Sequence, residues 1–345
     1  RTALRLFEAM QSVGDFEREF MVDPGSLPPL RRTRSRLPPS IFAAAEAAGI
    51  LLRLPHRTRP SIAAPLKAVA DRKAAGVGRL IYPACRLNEG CRAPDRCPLP
   101  LLPDLVSRVS CRNFGWTCDL RSWFYSFTMS EEVAARYFAT YDSRGRAYAH
   151  VRGPMGFSHM PTLATCVAQA MICDAIGDLP AYGVAWIDDV TVVADDEHVA
   201  ETVRQRFQDL ARRLNVEIRD MTTVSRHIAA VGIDFDLEQH AWRLLPSWCE
   251  KALVGADTGR ASDSVRQVLK DAGRVAWSIY ALQIPYFPFI ALLREAGAVA
   301  DQLVEGMLDP NSVHIYSVDA ADALQKGVAL KRANPWRCLA PAPTA

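Results

Sequence analysis

The chain has 345 residues, 49% apolar and 23% charged, enough to bury a substantial core spread over two or three subdomains. No apolar run approaches the roughly 20 residues that span a bilayer, and Arg1-Thr2-Ala3 has neither an initiator Met nor a signal-peptide layout, so an intracellular segment of a polyprotein, cytoplasmic or nuclear, is expected. The formal charge of +3 conceals thirteen Lys and Arg against three acids between Arg31 and Arg92, a local +10 that leaves −7 elsewhere, and such asymmetry points to a polyanionic partner.

Residues 23 to 60 are rich in Pro and Arg and read as an irregular N-terminal arm with one Ala-rich helix near Ile41 to Leu52. From about Pro65 the pattern tightens. Arg79 to Tyr82 follow the Gly76-Val77-Gly78 turn signal as a strand, and Phe114 to Leu120 form a short apolar strand that carries Asp119 near its end. Cys85, Cys91 and Cys97 are spaced too widely for a zinc knuckle and have no His among them, so the nine cysteines read as reduced thiols. Ser130 followed by Glu131 and Glu132 opens a helix. An alternating strand over Ala147 to Val151 then runs into a Gly-Pro turn, and a long helix begins near Pro161 and stops at Gly177.

The stretch Ala185-Trp186-Ile187-Asp188-Asp189-Val190 interrupts an apolar run with two adjacent acids. Burying such charges unpaired costs several kcal/mol, so the pair belongs at the tip of a hairpin, facing water or a cation. An amphipathic helix follows, with Val199, Val203, Phe207, Leu210 and Leu214 on one face and Asp195-Asp196 at its start. A second hairpin spans His227 to Pro246, and beyond it the pattern turns helical, most clearly over Ser262 to Gln283. Strand, helix, strand, helix, hairpin, helix, hairpin implies an α+β fold: an antiparallel sheet with helices on one side. In such a sheet Asp119 and Asp188 meet at one edge. Three carboxylates there make a hard-oxygen site suited to Mg²⁺, and two such ions stabilise both the attacking and the leaving oxygen in phosphoryl transfer.

These segments resemble the motifs of reverse transcriptases. Cys118-Asp119-Leu120 with Phe124 five residues after the Asp resembles the first palm motif, Gly153-Pro154-Met155-Gly156 through Pro161 the second, and Trp186-Ile187-Asp188-Asp189 the third. Val231-Gly232-Ile233 is similar to the primer grip, and Gly78 to Asn88 to the fingers segment in which an Arg precedes Leu-Asn. The match runs from about Pro65 to Pro246. Trp186 stands where the family usually has Tyr, Met155 replaces Gln or Phe, and Val231 replaces Leu.

The resemblance implies a right-hand polymerase: a 1–60 extension, fingers over 61–112, palm over 113–246, helical thumb over 247–310, and a connection over 311–345. In the last, Asp319 would open a ribonuclease H domain as the first carboxylate on its leading strand, with Gly327 in the following turn. It also implies that Asp119, Asp188, Asp189 and the carbonyl of Leu120 hold two Mg²⁺ ions, with Mn²⁺ as substitute. Arg79, with Arg72 or Lys73, would hold the incoming triphosphate over Met155 and Gly156. Phe124 would exclude a 2′-hydroxyl. Arg219 takes the place of a proton-donating Lys, and because its pKa is too high to give up a proton its expected role is electrostatic. The implied partners are an RNA or DNA template with its primer and deoxynucleoside triphosphates, with no membrane. Motif details lean towards tyrosine-recombinase retrotransposons of the DIRS and VIPER type. Two rivals share the palm: an RNA-dependent RNA polymerase, and a domesticated domain that only binds RNA.

Overall fold

The structure, a computed structural model, describes residues 2–27, 33–70, 78–253 and 262–338. The expected arm turns out to be largely built. Helices α1 (Thr2–Ala9) and α2 (Val13–Phe20) send Leu6, Phe16 and Phe20 into the main core, where Phe16 stacks on Tyr137 and meets Phe138 and Phe157. The Ser12 hydroxyl caps α2 by accepting from the Asp15 amide. Local composition misses this because the partners of these rings lie more than a hundred residues away. Helix α3 (Pro39–Ala47) matches the Ala-rich segment but yields to β1 (Leu51–Arg53) where the reading ran the helix on to Leu52.

Strands β2 (Lys67–Ala70) and β3 (Gly78–Ile81) pair antiparallel, and α4 (Cys85–Gly90) and α5 (Leu102–Ser110) lead into β4 (Phe114–Leu120). Ser130 caps α6 (Glu131–Tyr137) by accepting from the Val133 amide. Strands β5 (Ala139–Tyr141) and β6 (Ala147–His150) complete a sheet of order β1-β6-β5. The alternation expected of β6 is absent: Tyr148, Ala149 and His150 are buried in succession because both faces are covered.

Helix α7 (Met160–Ile176) has Pro161 in its first turn and ends on Gly177 at φ +55. It is followed by β7 (Ala181–Trp186), β8 (Asp189–Ala194), α8 (Glu197–Arg213) and β9 (Ile218–Arg219). The Asp196 side chain caps α8 by accepting from the Val199 amide, while Asp195 pairs with Arg112, so the second acid pair serves the helix start. The central sheet runs β7-β8-β4-β9, all antiparallel, with α7 and α8 packed against it. Strand β7 divides by parity. Ala185 enters the main core beside α7, and at Gly183 a Cβ would lie 2.3 Å from an Ile172 methyl of α7. Tyr182, Val184 and Trp186 join a second cluster on the other face.

That second cluster is built by β10 (His227–Ala230), β11 (Ile233–Asp236) and β12 (Ala241–Leu244), with α5 packed on them. Helix α9 (Pro246–Leu253), β13 (Ser262–Ser264), α10 (Val265–Ala281), α11 (Ile290–Val304), β14 (Val313–Ile315), α12 (Val318–Ala333) and β15 (Arg337–Cys338) complete the chain. Strand β15 returns to pair with β12, and β13 pairs with β14.

The reading of the C-terminal segment needs correction. Asp319 is not on a strand: it lies in the first turn of α12, where a carboxylate complements the helix dipole, and Ser317 caps that helix. Gly327 sits inside the helix, because a Cβ there would lie 2.6 Å from a Val275 methyl of α10. Tyr316, Ala320 and Ala323 share a core with Val268, Val275 and Leu292, so α10, α11 and α12 form one helical lobe that continues past residue 310. None of the described helices is long and apolar enough to cross a membrane.

Candidate metal and nucleotide site

The acid cluster follows from register. Asp119 near the end of β4 pairs with Asp189 at the start of β8, and opposite residues of an antiparallel ladder project from the same face. Strands β7 and β8 are joined by only Ile187 and Asp188, and Ile187 has φ +63, a conformation a β-branched residue adopts under strain. The Asp188 carbonyl accepts from the Leu120 amide at 2.9 Å, which fastens the tip to the end of β4. Asp119, Asp188 and Asp189 thus present carboxylate oxygens within 4.8 Å of one another, two half-buried and Asp189 exposed.

At that separation each pair of charges repels by roughly 1 to 3 kcal/mol for effective dielectrics of 80 to 20, and a divalent cation removes the repulsion. The adjacent sulfur does not compete for it. Burial, with the Asp119 and Asp189 charges adding to it, pushes the Cys118 thiol up to about 12, so no thiolate is offered at neutral pH. A donor set of oxygens alone fits a hard ion such as Mg²⁺ or Mn²⁺. Leu120, the fourth residue expected at the metal, is the buried last residue of β4.

Three segments expected to bind nucleotide meet around Phe124 and Tyr125, in the stretch that follows β4. The Tyr125 hydroxyl donates to the Leu80 carbonyl at 2.8 Å, joining the segment after β4 to β3, and the Tyr82 amide donates to the Met155 carbonyl at 3.1 Å. Burial raises the Tyr125 phenol, while the Leu80 contact and the neighbouring Arg79 charge pull the other way. Two glycines make the approach possible. A Cβ at Gly153 would lie 2.3 Å from the Phe124 carbonyl oxygen, and one at Gly156, φ +120, would lie 2.2 Å from the Tyr82 carbonyl oxygen. Asn88 then clasps the loop: its amide donates to the Gly156 carbonyl at 2.9 Å and its side-chain oxygen accepts from the Ser158 amide at 3.1 Å. Arg79, Phe124, Met155 and Gly156 are therefore held in one neighbourhood, whereas Arg72 and Lys73 lie outside the described residues.

Arg219 pairs with Asp119 across β9 and β4, which sets a guanidinium next to the acid cluster, and its Nε also bonds the Asp220 carboxylate at 3.1 Å. Val231 and Gly232 are the two-residue turn of the β10–β11 hairpin, with φ +44 and +80, and Ile233 begins β11, fully buried. Positive φ at both turn positions is the type I′ pattern, which favours Asn-Gly; Val in the left-handed region costs roughly 1 to 2 kcal/mol. Val231→Asn is expected to stabilise the hairpin by about 1 kcal/mol, read as a higher urea midpoint at unchanged slope. An unchanged or lower midpoint would show that Val231 packing outweighs the strain.

Sequence reading missed Gly153, Tyr125 and Asn88 as supports of this neighbourhood. Gly153-Pro154 signalled only a turn, and nothing local shows that its backbone must touch that of Phe124. It also missed Trp277 of α10, whose ring meets Trp186 from a helix ninety residues downstream.

No protein-family model matches the chain. Over 143 residues, 40% of its length, it is 25% identical to the retrovirus-related Pol polyprotein from transposon gypsy of Drosophila melanogaster, of which it spans 13%. Two solved structures of a foamy viral protease-reverse transcriptase superpose on 88% of the chain at 12% identity. One, in complex with double-stranded DNA, gives a TM-score of 0.62 over 50% of its own chain; the other, with an RNA/DNA hybrid, gives 0.60 over 38%. The chain is thus similar in sequence to a retroelement Pol protein and has the α+β, polymerase-like fold of a retroviral reverse transcriptase, spanning half or less of those relatives.

Proposed function

We propose that the chain is the RNA-directed DNA polymerase of a retrotransposon, adding deoxynucleotides to a primer 3′ end on a nucleic-acid template. The observation that carries this reading is the meeting of Asp119, Asp188 and Asp189 at one sheet edge, within 4.8 Å; the stretch that follows β4 is in turn joined to the segments of Arg79 and Gly156. Asp119 and Asp188 would hold the two metal ions, with Asp189 and the Leu120 carbonyl assisting. When bound, the ions neutralise charge developing on the reacting phosphate and orient the attacking and leaving oxygens. Arg79 holds the triphosphate by charge-assisted hydrogen bonds. Arg219, beside Asp119, stabilises the negative charge of the departing pyrophosphate. The segment 247–310 forms the thumb on the primer–template, with α12 packed on its helices α10 and α11, and Val231 to Ile233 the grip on the primer end. The segments Gly156 to Pro161 and Trp186 to Asp189 favour a tyrosine-recombinase retroelement as the source.

Phe124 is the sugar gate in this reading. Gly153 lies close against the Phe124 carbonyl, and the partly buried Phe124 ring packs against the main core. Phe124→Val is expected to raise ribonucleotide over deoxynucleotide use by about 10- to 100-fold, the range that separates substrates differing by one small group, while deoxynucleotide incorporation falls less than tenfold. Unchanged sugar selectivity removes the gate from Phe124. Primer extension on an RNA template with each nucleotide set tests the whole reading. Preference for ribonucleotides by the unaltered chain would make it an RNA polymerase, and template binding without Mg²⁺-dependent extension would make it a binder.

A further inference from the structure

The hairpin that carries the acids meets the helical lobe through tryptophan. Trp186, the last residue of β7, lies opposite Asp189 in the ladder, so its indole and that carboxylate project from the same face. The Trp277 ring meets it edge-on, with centroids 5.9 Å apart and planes at 87°, a geometry that aromatic pairs favour. Trp277 and Trp248 of α9 also border the β10–β11 turn: a Cβ at Gly232 would lie 3.5 Å from Trp248 Cδ1 and 3.7 Å from Trp277 Nε1. The indoles thereby gather the acid-bearing hairpin, the Val231-Gly232 turn and α10 in one place, all within the second core cluster.

The tip is held from more than one side. Its two-residue connection is strained at Ile187, whose side chain packs against the main core, and the Leu120–Asp188 hydrogen bond fastens it to β4. Packing of Trp186 fastens it to the second cluster. The indole N–H of Trp277 is buried with no acceptor among the described residues, so ring packing alone holds the contact. The root of α10 is fixed to the rest of the molecule, the Trp242 indole donating to the Ala281 carbonyl and the Gln283 amide to Pro103 and Ser107. Trp277 lies one turn from that root, so its contact with Trp186 ties the acid-bearing hairpin to the anchored end of α10.

Resting on the polymerase reading above, we propose that Trp277 is a positioning residue for the acid cluster: by its edge contact with Trp186 it makes the placement of Asp188 and Asp189 depend on the placement of the thumb helix. Metal affinity and turnover are then set partly from a residue that touches neither metal nor nucleotide.

Trp277→Leu stays apolar but is smaller and loses the ring edge, and Trp277→Phe, also smaller, keeps a ring and controls for the lost volume. In the full chain, free-ion electron paramagnetic resonance during a Mn²⁺ titration is expected to show about tenfold weaker binding for Trp277→Leu and near-normal binding for Trp277→Phe. Asp188→Asn should remove the site. In primer extension, kcat should fall about tenfold for Trp277→Leu with the primer–template KM within twofold. Trp186→Leu should show the same losses, and the double variant should be no worse than either single one. Multiplying losses, about a hundredfold in the double variant, or Mn²⁺ affinity unmoved in Trp277→Leu, would overturn the coupling, as would an unaltered chain that binds no Mn²⁺. The Mn²⁺ titration needs no turnover. A chain that shows the coupling but extends no primer defeats the polymerase reading alone; one that extends primer with multiplying losses defeats the coupling alone.

Discussion

Asp188→Asn should abolish primer extension, lowering its rate at least about a thousandfold, while template binding stays within a few-fold of normal. Metal ions in such sites supply several kcal/mol of transition-state stabilisation, and each 1.4 kcal/mol lost costs a factor of ten. Asn keeps the shape of Asp and one acceptor oxygen, so the backbone bond from Leu120 to residue 188 and the hairpin should survive. What goes is one of three charges gathered within 4.8 Å, and with it the attraction for a divalent ion. In the proposed reading nucleic acid is held by the Lys- and Arg-rich stretch between Arg31 and Arg92 and by the helical lobe, not by Asp188, so fluorescence anisotropy with a labelled template–primer should barely change. Extension above a tenth of the normal rate would overturn the assignment of Asp188.

Gly156→Ala should be the most damaging change that removes no chemical group. At φ +120 the residue occupies backbone space nearly reserved for glycine, a strain of about 1–3 kcal/mol for any other residue. The added Cβ would also sit 2.2 Å from the Tyr82 carbonyl oxygen, which is backbone and cannot rotate aside. Relief requires separating the loop from β3, and with it Met155 from Tyr82 and Gly156 from Asn88. The combined cost is about 3 kcal/mol or more. Through the loop, the KM for deoxynucleotide should rise tenfold or more. Gly306→Ala is the control: φ is +74 there, but nothing lies within 4 Å of the new Cβ, so only conformational strain is added, far from the acids. Equal effects of the two substitutions would show that the close approach to β3 is immaterial.

What the sequence made legible was local. Asp119 on its strand, the acid pair at a hairpin tip, the Ser130 and Asp196 caps and the Gly177 stop all rest on interactions within a few residues, and each lies where its pattern placed it. The arrangement of the acids was legible because strand parity and a two-residue turn fix register. The remainder depended on distant contacts. Phe16 and Phe20 look like ordinary residues of an arm until Tyr137 and Phe157 arrive to cover them. Asp319 followed by a glycine eight residues on imitates a strand-and-turn motif, and only the packing of Val275 against Gly327 reveals a helix crowding its neighbour. Trp186 was recognisable as a departure from its relatives, but its partner is set by the fold.

The seating of α1 and α2 has a consequence for synthesis. The Phe16 ring is buried by residues 137, 138 and 157, the Ser130 amide donates to the Met10 carbonyl, and the Arg92 amide to the Phe20 carbonyl. At roughly 5–20 residues per second, the first two helices leave the ribosome on the order of ten to thirty seconds before Phe157 does. Throughout that interval the two helices have only each other to pack on, so their apolar faces wait for burial until residues more than a hundred positions later have been made, and a chaperone that shields them would act on α1 and α2 first.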